Sequence, residues 1–391
     1  MKRILFVIPT MRMGGAEKSL VTLLNCMDRK KYEIDLLLFE GGGILQNDIP
    51  ADVNIILADP ITQAMILEFR YYAKNLLKEH RFIAYIRRLW TSINPKVKKN
   101  QKFGWNYLKK SVPFFEKKYD SAVSYLEGLT AFYVIDKVNA KKKIGWIHTD
   151  MSGRSMLKEE QQYYEKFDYL ITISEVCKNV FANLVPSVRN RISVLENLTD
   201  AKRVKVKAKE NVDFLTWNKN KIQVVTVGRL DLEKGIDLAI LACKKLKDEG
   251  MDICWHVYGE GIQRKNLEKM IEENDLNNTF FLEGVTPNPY PYMAKADVIV
   301  QPSQYEGKSI VLDEAKILGK AIVVTNYPSV KDQITNGETG IIVDCSPREI
   351  AEGVKQLIGN GNTRRKLEEN NSVIQMSNTE ILNRFYQILE A

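Results

Sequence analysis

Cysteine is scarce in this chain. Five residues in 391, Cys26, Cys177, Cys243, Cys254 and Cys345, are an odd number, scattered without a C-x-x-C pair. That pattern excludes a disulfide framework and the common zinc motifs, and buried thiols in a reducing compartment are expected. No uninterrupted apolar run approaches the ~18–20 residues that span a bilayer. The opening stretch Met1–Pro9 has only a short apolar core, followed by Arg12 and two glycines rather than a small-residue cleavage site, so it reads as a first strand rather than a leader. G-x-G-x-x-G is missing after that strand; Pro9-Thr-Met-Arg-Met-Gly-Gly stands there, which argues against a nicotinamide dehydrogenase. Low-complexity segments are absent as well. A cytoplasmic protein of ordinary globular composition is the expectation, with 45% hydrophobic and 27% charged residues.

Acidic residues are nearly lacking from one region. Residues 70–118 hold 14 Lys/Arg against 2 Glu and no Asp, a local balance of +12 within a chain whose total is +8, so the remainder carries −4. Aromatics are interleaved with that charge, among them Tyr71, Tyr72, Phe82, Tyr85, Trp90, Phe103, Trp105 and Tyr107. The mixture suits an anionic membrane surface, where each nearby Lys or Arg is worth ~1 kcal/mol. Nucleic acid is the weaker alternative and is not expected as a partner. The plain structural reading is a solvated helical excursion whose aromatics pack inward.

At 391 residues, two domains are expected. The two halves run on one plan. Arg3–Pro9 is an apolar strand, Gly14-Gly15 a turn, and Leu20, Leu23, Leu24 and Met27 recur at helical spacing before a second strand at Tyr32–Phe39. The plan restarts at Ile222–Val227, with a turn at Gly228, a helix from Ile236 and a strand at Ile253–Tyr258 that ends in Gly259-Glu260-Gly261. Asp297–Gln301, Ala321–Thr325 and Gly340–Asp344 supply further short strands. Buried apolar strands alternating with helices argue for α/β architecture with a Rossmann-like parallel sheet in each half. Leu198–Lys221 is polar, without a sustained apolar period, and is read as the linker. The expected domains are 1–200, carrying the 70–118 excursion, and 201–377, with a helix at 378–391 returning to the first.

Two motifs carry chemistry. Gly228-Arg-Leu-Asp-Leu-Glu-Lys-Gly235 sets Arg229 and Lys234 at a glycine-flanked turn before a helix, where backbone N–H groups and the helix dipole favour phosphate. Glu306-Gly-Lys-Ser-Ile-Val-Leu-Asp-Glu314 offers a carboxylate in a loop, Glu306, and another about one turn into the next helix, Glu314. Cations for a diphosphate beside carboxylates for sugar hydroxyls point to a nucleotide-sugar site. Each residue also has a plain reading: Arg229 and Lys234 as solvated cations, the glutamates as ordinary acids near a helix start, Gly14-Gly15 as a turn, Glu127-Gly128 as either a turn or a ligand-facing strand end.

In order and spacing, these motifs resemble the family 4 retaining glycosyltransferases of the GT-B fold, over essentially the whole chain apart from the excursion. Gly14-Gly15-Ala-Glu-Lys-Ser is similar to that family's loop beside the donor phosphate. Trp146-Ile-His148-Thr-Asp150 is similar to its histidine segment, and Gly228–Gly235 with the Glu306–Glu314 pair to its second-domain signature. The resemblance implies two Rossmann-like domains facing a central cleft, with domain closure excluding water. Donor phosphates would be bound by Gly14, Gly15, Arg229, Lys234, Lys308 and the backbone of Ser309 and Ile310, and the ribose by Glu314. Glu306 and His148 would hold the transferred sugar. One departure is Gly307-Lys308-Ser309, where the family commonly has Gly-Phe-Gly after the first glutamate; Lys308 would add a cation, and loss of the second glycine would restrict backbone approach to the donor. No Asp-x-Asp pair occurs, so no metal site and no cofactor are expected, and fixed cations would stabilise the leaving diphosphate. The expected donor is a UDP-sugar and the acceptor a glycan or lipid-linked sugar of bacterial surface polysaccharide, at the inner face of the plasma membrane. A nucleotide-sugar epimerase of the same fold and a non-catalytic nucleotide- or membrane-binding module are the alternatives.

Overall fold

Strands apolar on both faces can only be buried on both, and the chain meets that demand with two fully parallel sheets covered by helices. The computed structural model describes residues 1–67, 69–94, 97, 101–151, 156, 158–218, 220–374 and 378–391. The chain folds as two units, Met1–Leu198 with Thr379–Ala391, and Thr199–Asn378.

In the first unit, β1 (Lys2–Ile8), β2 (Tyr32–Leu38), β3 (Asn54–Leu57), β4 (Phe115–Ser124), β5 (Val138–Ile147), β6 (Tyr169–Thr172) and β7 (Ile192–Val194) lie in the order β3-β2-β1-β4-β5-β6-β7. Both faces carry a core. Leu5, Val7, Leu37 and Phe132 pack on one, Phe6, Leu36, Ile144 and Trp146 on the other. The closing helix Thr379–Glu390 belongs to the second face: Phe385 lies 6.2 Å from the Phe6 ring and 5.5 Å from the Trp146 ring. Lys142 donates to the carbonyls of Ile388 (2.9 Å) and Leu389 (3.2 Å), which the helix end leaves without partners.

The second unit repeats the scheme with six strands, β8 (Ile222–Val227), β9 (Ile253–Tyr258), β10 (Phe280–Gly284), β11 (Val298–Gln301), β12 (Ile322–Thr325) and β13 (Ile341–Val343), in the order β10-β9-β8-β11-β12-β13. In each sheet the strand order reverses next to the first strand, between β1 and β4 and between β8 and β11. The loops that leave those pairs diverge, and ligands of open α/β sheets bind in the crevice so made.

One expectation is corrected. The segment read as a linker is structured: Asp200 accepts from Arg203 N and caps the helix Ala201–Lys207, whose Val204 is buried with Tyr258 and Met293. Further along, Trp217 stacks on the buried His256 ring at 4.9 Å. Its apolar anchors are single residues at wide spacing, which a periodicity test passes over. The basic excursion, in turn, packs much of its aromatic content inward. Trp105 is fully buried, its Nε1 donating to Asp136 at 2.8 Å, and Trp90 lies 4.5 Å from Tyr107 between the helices Phe82–Ile93 and Gln101–Leu108. Residues 95–96 and 98–100 of the excursion, with Lys96, Lys98 and Lys99, lie outside the described residues.

Candidate functional site

The two motifs of the second unit occupy the reversal point of its sheet. The loop Gly228–Gly235 leaves β8, and the loop from Pro302 to Ser309 leaves its neighbour β11. Gly235 makes their meeting possible. It sits at φ +63°, and a Cβ there would stand 2.0 Å from the carbonyl oxygen of Pro302. A left-handed conformation with another backbone against the α-carbon is a position for glycine alone. Gln304 N then donates to Glu233 O at 2.9 Å, lacing the loops together. On the other flank a Cβ at Gly259, after β9, would meet Gly228 O at 1.8 Å, and Leu230 N donates to Glu260 O at 3.0 Å.

The lacing brings Lys234 Nζ to 2.5 Å from Glu306 Oε1, with the two side chains 17% and 11% exposed. The same oxygen accepts from Ser303 Oγ at 3.0 Å and Gln301 Nε2 at 3.3 Å. Three donors on Oε1 hold the carboxylate in one orientation. Arg229 differs: its side chain is 62% exposed and paired with Asp231 at 2.8 Å. Glycine-flanked backbone and two cations, one partly buried against Glu306 and one exposed and paired with Asp231, form an arrangement that can receive an anion.

Beyond Glu306 the chain enters the helix Ile310–Ile317. Ser309 is held from both sides by Gln333, whose Oε1 accepts from Ser309 N and whose Nε2 donates to Ser309 O, each at 2.8 Å. The Ser309 N–H is therefore occupied by a side chain. Lys308 turns toward the protein, its Nζ 3.7 Å from Asp313 Oδ2, and Lys316 reaches the same carboxylate at 3.2 Å. Ile310 begins the helix and is buried. Glu314, one turn further, is buried with Oε1 accepting from Tyr290 OH at 2.8 Å.

The remaining candidates belong to the first unit. Gly14 and Gly15 open the helix Gly15–Cys26 beside β1. On that helix Ser19 Oγ lies 3.1 Å from Tyr125 OH, and the Tyr125 ring lies 4.7 Å from the ring of His148. Trp146 stacks on His148 from the same strand end at 5.7 Å and 15°. His148 backbone N donates to Glu127 Oε2 at 3.1 Å, and Thr149 Oγ1 to Glu127 Oε1, so Glu127 serves the turn that carries the histidine. Both ring nitrogens of His148 are shut off from water without a hydrogen bond. Burial pushes its pKa down to about 3, against a smaller opposite pull from Asn197. The imidazole is neutral at physiological pH. A buried, unpaired donor–acceptor ring is costly unless a ligand completes it.

Sequence reasoning did not find Gln301, Gln333 or Tyr290 as site residues. Gln333 and Tyr290 each reach the motif from a residue 24 positions away in the chain, with no local signal. Among the described residues no three His, Cys, Asp or Glu side chains converge as ligands of a metal would.

Residues 207–373 match the family described as Glycosyl transferases group 1. An uncharacterized glycosyltransferase of Methanocaldococcus jannaschii is 31% identical over 243 residues, 59% of this chain and 57% of that protein. The N-acetylgalactosamine-N,N'-diacetylbacillosaminyl-diphospho-undecaprenol 4-alpha-N-acetylgalactosaminyltransferase of Campylobacter jejuni is 29% identical, over 52% of this chain and 54% of that enzyme. The chain thus spans about half the length of the curated relatives it matches. Over whole lengths it shares its fold with Anabaena HepE in complex with UDP-glucose (TM-score 0.71, 16% identity, 100% of both chains) and with Staphylococcus aureus TarM (TM-score 0.70, 16% identity, 100% of this chain and 99% of the other). The α/β fold with two Rossmann-like parallel sheets is thereby that of the GT-B proteins.

Proposed function

We propose that this chain is a retaining, metal-independent glycosyltransferase that moves a sugar from a nucleotide diphosphate, UDP in first place, to a lipid-linked sugar acceptor of bacterial surface-polysaccharide or glycolipid assembly. The observation that carries the reading is the Lys234–Glu306 contact at the reversal point of the second sheet, held there by Gly235. The Glycosyl transferases group 1 match over 207–373 covers both residues.

In this reading the bond between the anomeric carbon and the diphosphate oxygen breaks as the acceptor oxygen bonds the same face of that carbon. The acceptor's proton passes to the departing phosphate oxygen, so no separate base is required. Negative charge grows on the diphosphate. Arg229 swings onto it from solvent, where its planar fork can span two phosphate oxygens, and Lys234 exchanges part of its contact with Glu306 for a phosphate. Once they are in place such cations stabilise the growing charge, and removing one such donor typically costs ~3–4 kcal/mol of transition-state stabilisation. Glu306, its Oε1 saturated by three protein donors, keeps Oε2 for a sugar hydroxyl. Glu314 receives the ribose, sharing its carboxylate with Tyr290. Within the first unit, Gly14 and Gly15 offer backbone N–H groups and neutral His148 a ring N–H to a ligand.

UDP is favoured because solved neighbours of this fold carry it, including Anabaena HepE with UDP-glucose and the pneumococcal transferase GtfA with UDP and GlcNAc. A lipid-linked acceptor is favoured by the undecaprenol acceptor in the name of the Campylobacter relative and by the cationic excursion 70–118. An anionic membrane surface on the cytoplasmic side then becomes a partner.

Thermal-shift measurement with UDP, GDP, ADP and their sugar conjugates, each with EDTA, tests the donor site. One nucleotide family should raise Tm in EDTA, and Arg229→Ala or Lys234→Ala should weaken the rise. Conversion of the bound UDP-sugar without any acceptor would instead identify an epimerase, and no shift with any diphosphate would end the reading.

A further inference from the structure

The helix Phe82–Ile93 is turned inside out. Its exposed large apolar residues are Phe82 (59%), Ile83 (68%), Ile86 (64%), Leu89 (37%) and Ile93 (69%). On a helical projection Phe82, Ile86, Leu89 and Ile93 fall within about 60° of one another, with Ile83 at the rim of the stripe. The opposite side faces the protein and carries one aromatic among small and polar residues: Tyr85 packs against the core, Ala84 and Thr91 are buried, and Arg88 donates from Nε to Ala64 O (3.1 Å) and from Nη2 to Leu67 O (2.6 Å). An ordinary surface helix presents the reverse pattern. Scattered exposed apolar residues need no explanation, but a continuous stripe on one helix marks a contact surface.

The charge around the stripe identifies what it meets. Residues 69–110 hold 12 Lys/Arg and a single acid, Glu79. Exposed cations Lys74 and Lys78 lie on the helix Phe69–Lys78, Arg81 precedes the stripe, and Lys110 follows the helix Gln101–Leu108; both of these helices pack against the inverted one. A second copy of the chain seated stripe to stripe would bring like charges together. A protein partner would need an apolar groove ringed with acid. An anionic bilayer supplies both halves without further assumption: headgroups for the cations and acyl chains for the stripe.

We infer that the 82–93 helix is a membrane-inserting element, lying in the interface of an anionic bilayer with Phe82, Ile83, Ile86, Leu89 and Ile93 in the acyl region. About 18 Å long, it is too short to cross and the right length to lie flat. Arg88 holds it rigidly to the first unit, so insertion would fix the orientation of that unit on the membrane. The inference deepens the lipid-acceptor part of the proposal above, although the contact itself does not require the transferase site.

The test is flotation of the full chain with vesicles of phosphatidylcholine alone or with 30 mol% phosphatidylglycerol, at about 0.1 M salt, where surface charge is only partly screened. The wild type should float with the anionic vesicles alone. Ile83→Ser/Ile86→Ser/Ile93→Ser should lower the partition coefficient at least tenfold, and Lys78→Glu/Arg81→Glu should lower it comparably. A stripe variant that floats like the wild type would mean adsorption by charge alone and overturn the inference, as would failure of the wild type to bind. Sedimentation velocity showing a wild-type dimer that the stripe variant dissolves would assign the face to a second copy. The UDP-dependent Tm shift, measured on the same variants, reports folding and keeps the two readings apart. A normal shift without flotation refutes only the membrane element, and flotation without any shift refutes only the transferase.

Discussion

Gly235→Ala separates the two motifs of the second unit with one methyl group. The residue sits at φ +63°, where a residue with a side chain is disfavoured by about 1–2 kcal/mol relative to glycine. The added Cβ would begin 2.0 Å from Pro302 O, whereas comfortable non-bonded contact needs about 3.5 Å. The loops must part by more than an ångström. Lys234 Nζ and Glu306 Oε1, now 2.5 Å apart, would then exceed hydrogen-bond distance, and Gln304 N would lose Glu233 O. Conformational strain, the lost lacing and a partly buried pair left open sum to about 3–4 kcal/mol of unfolding free energy. Urea denaturation of the variant measures it, and the UDP-dependent Tm shift should fall with it. Gly235→Asn separates the causes. Asparagine tolerates the left-handed region but carries the same Cβ, so it should be nearly as damaging as alanine. If Gly235→Ala costs under 1 kcal/mol and leaves nucleotide binding intact, the close approach to Pro302 does not hold the site together.

Three further outcomes are expected. In a double-mutant cycle of Lys234→Met and Glu306→Gln, denaturation should give a coupling of about 1–3 kcal/mol; additivity within 0.3 kcal/mol would show the contact to be incidental. Burial holds the folded pKa of His148 at about 3, below the unfolded ~6.5. The unfolded chain therefore binds the extra proton between those values, and stability is lost as pH falls from about 6.5, by up to about 1.4 kcal/mol per unit. His148→Phe should flatten the slope of unfolding free energy between pH 6 and pH 4; an unchanged slope would mean that the ring titrates normally. Burial alone would raise the Asp136 carboxyl, but donors from Tyr163, Trp105 and Lys109 together hold it below the usual range. Its contribution is thus present above about pH 4 and lost as pH falls through the folded value. Asp136→Asn should destabilise by about 2–3 kcal/mol at pH 7, and the gap to wild type should narrow on acidification; a gap constant down to pH 3 would contradict the assignment.

Strands buried on both faces were legible because their sequences are continuous apolar runs. The expected strand starting at Ile222 and that starting at Ile253 match β8 and β9 to the residue, while the ends of β1, β11 and β13 shift by one. β5 was hidden by Lys141-Lys142-Lys143. A run of three lysines reads as solvated surface, yet Lys142 and Lys143 lay their stems along the protein and donate to the carbonyls of Ile388 and Ile135. β3 was hidden for another reason: at the sheet edge, Asn54 and Leu57 stay exposed and no periodicity survives. In the site, the motifs led to the expectation of Lys234 beside a phosphate and Glu306 beside a sugar, but not that the two side chains would meet one another. That contact depends on the glycine geometry of Gly235 and on two loops whose contacting residues stand 72 positions apart. The inverted helix was blurred for a related reason. Its composition is mixed, and only knowing that Arg88 faces inward shows which side is left for the apolar residues.

The closing helix has a consequence for how the molecule comes into being. Phe385, Ile388 and Leu389 complete a core whose other members, Phe6, Ile144 and Trp146 among them, are translated before the 180 residues Thr199–Asn378. At about 5–20 residues per second, that interval lasts roughly 10–40 s. The unit that leaves the ribosome first is therefore the one finished last. Its apolar seat stands open while the other unit is made and folded, which is the period in which chaperones, or a neighbouring nascent chain, can reach it.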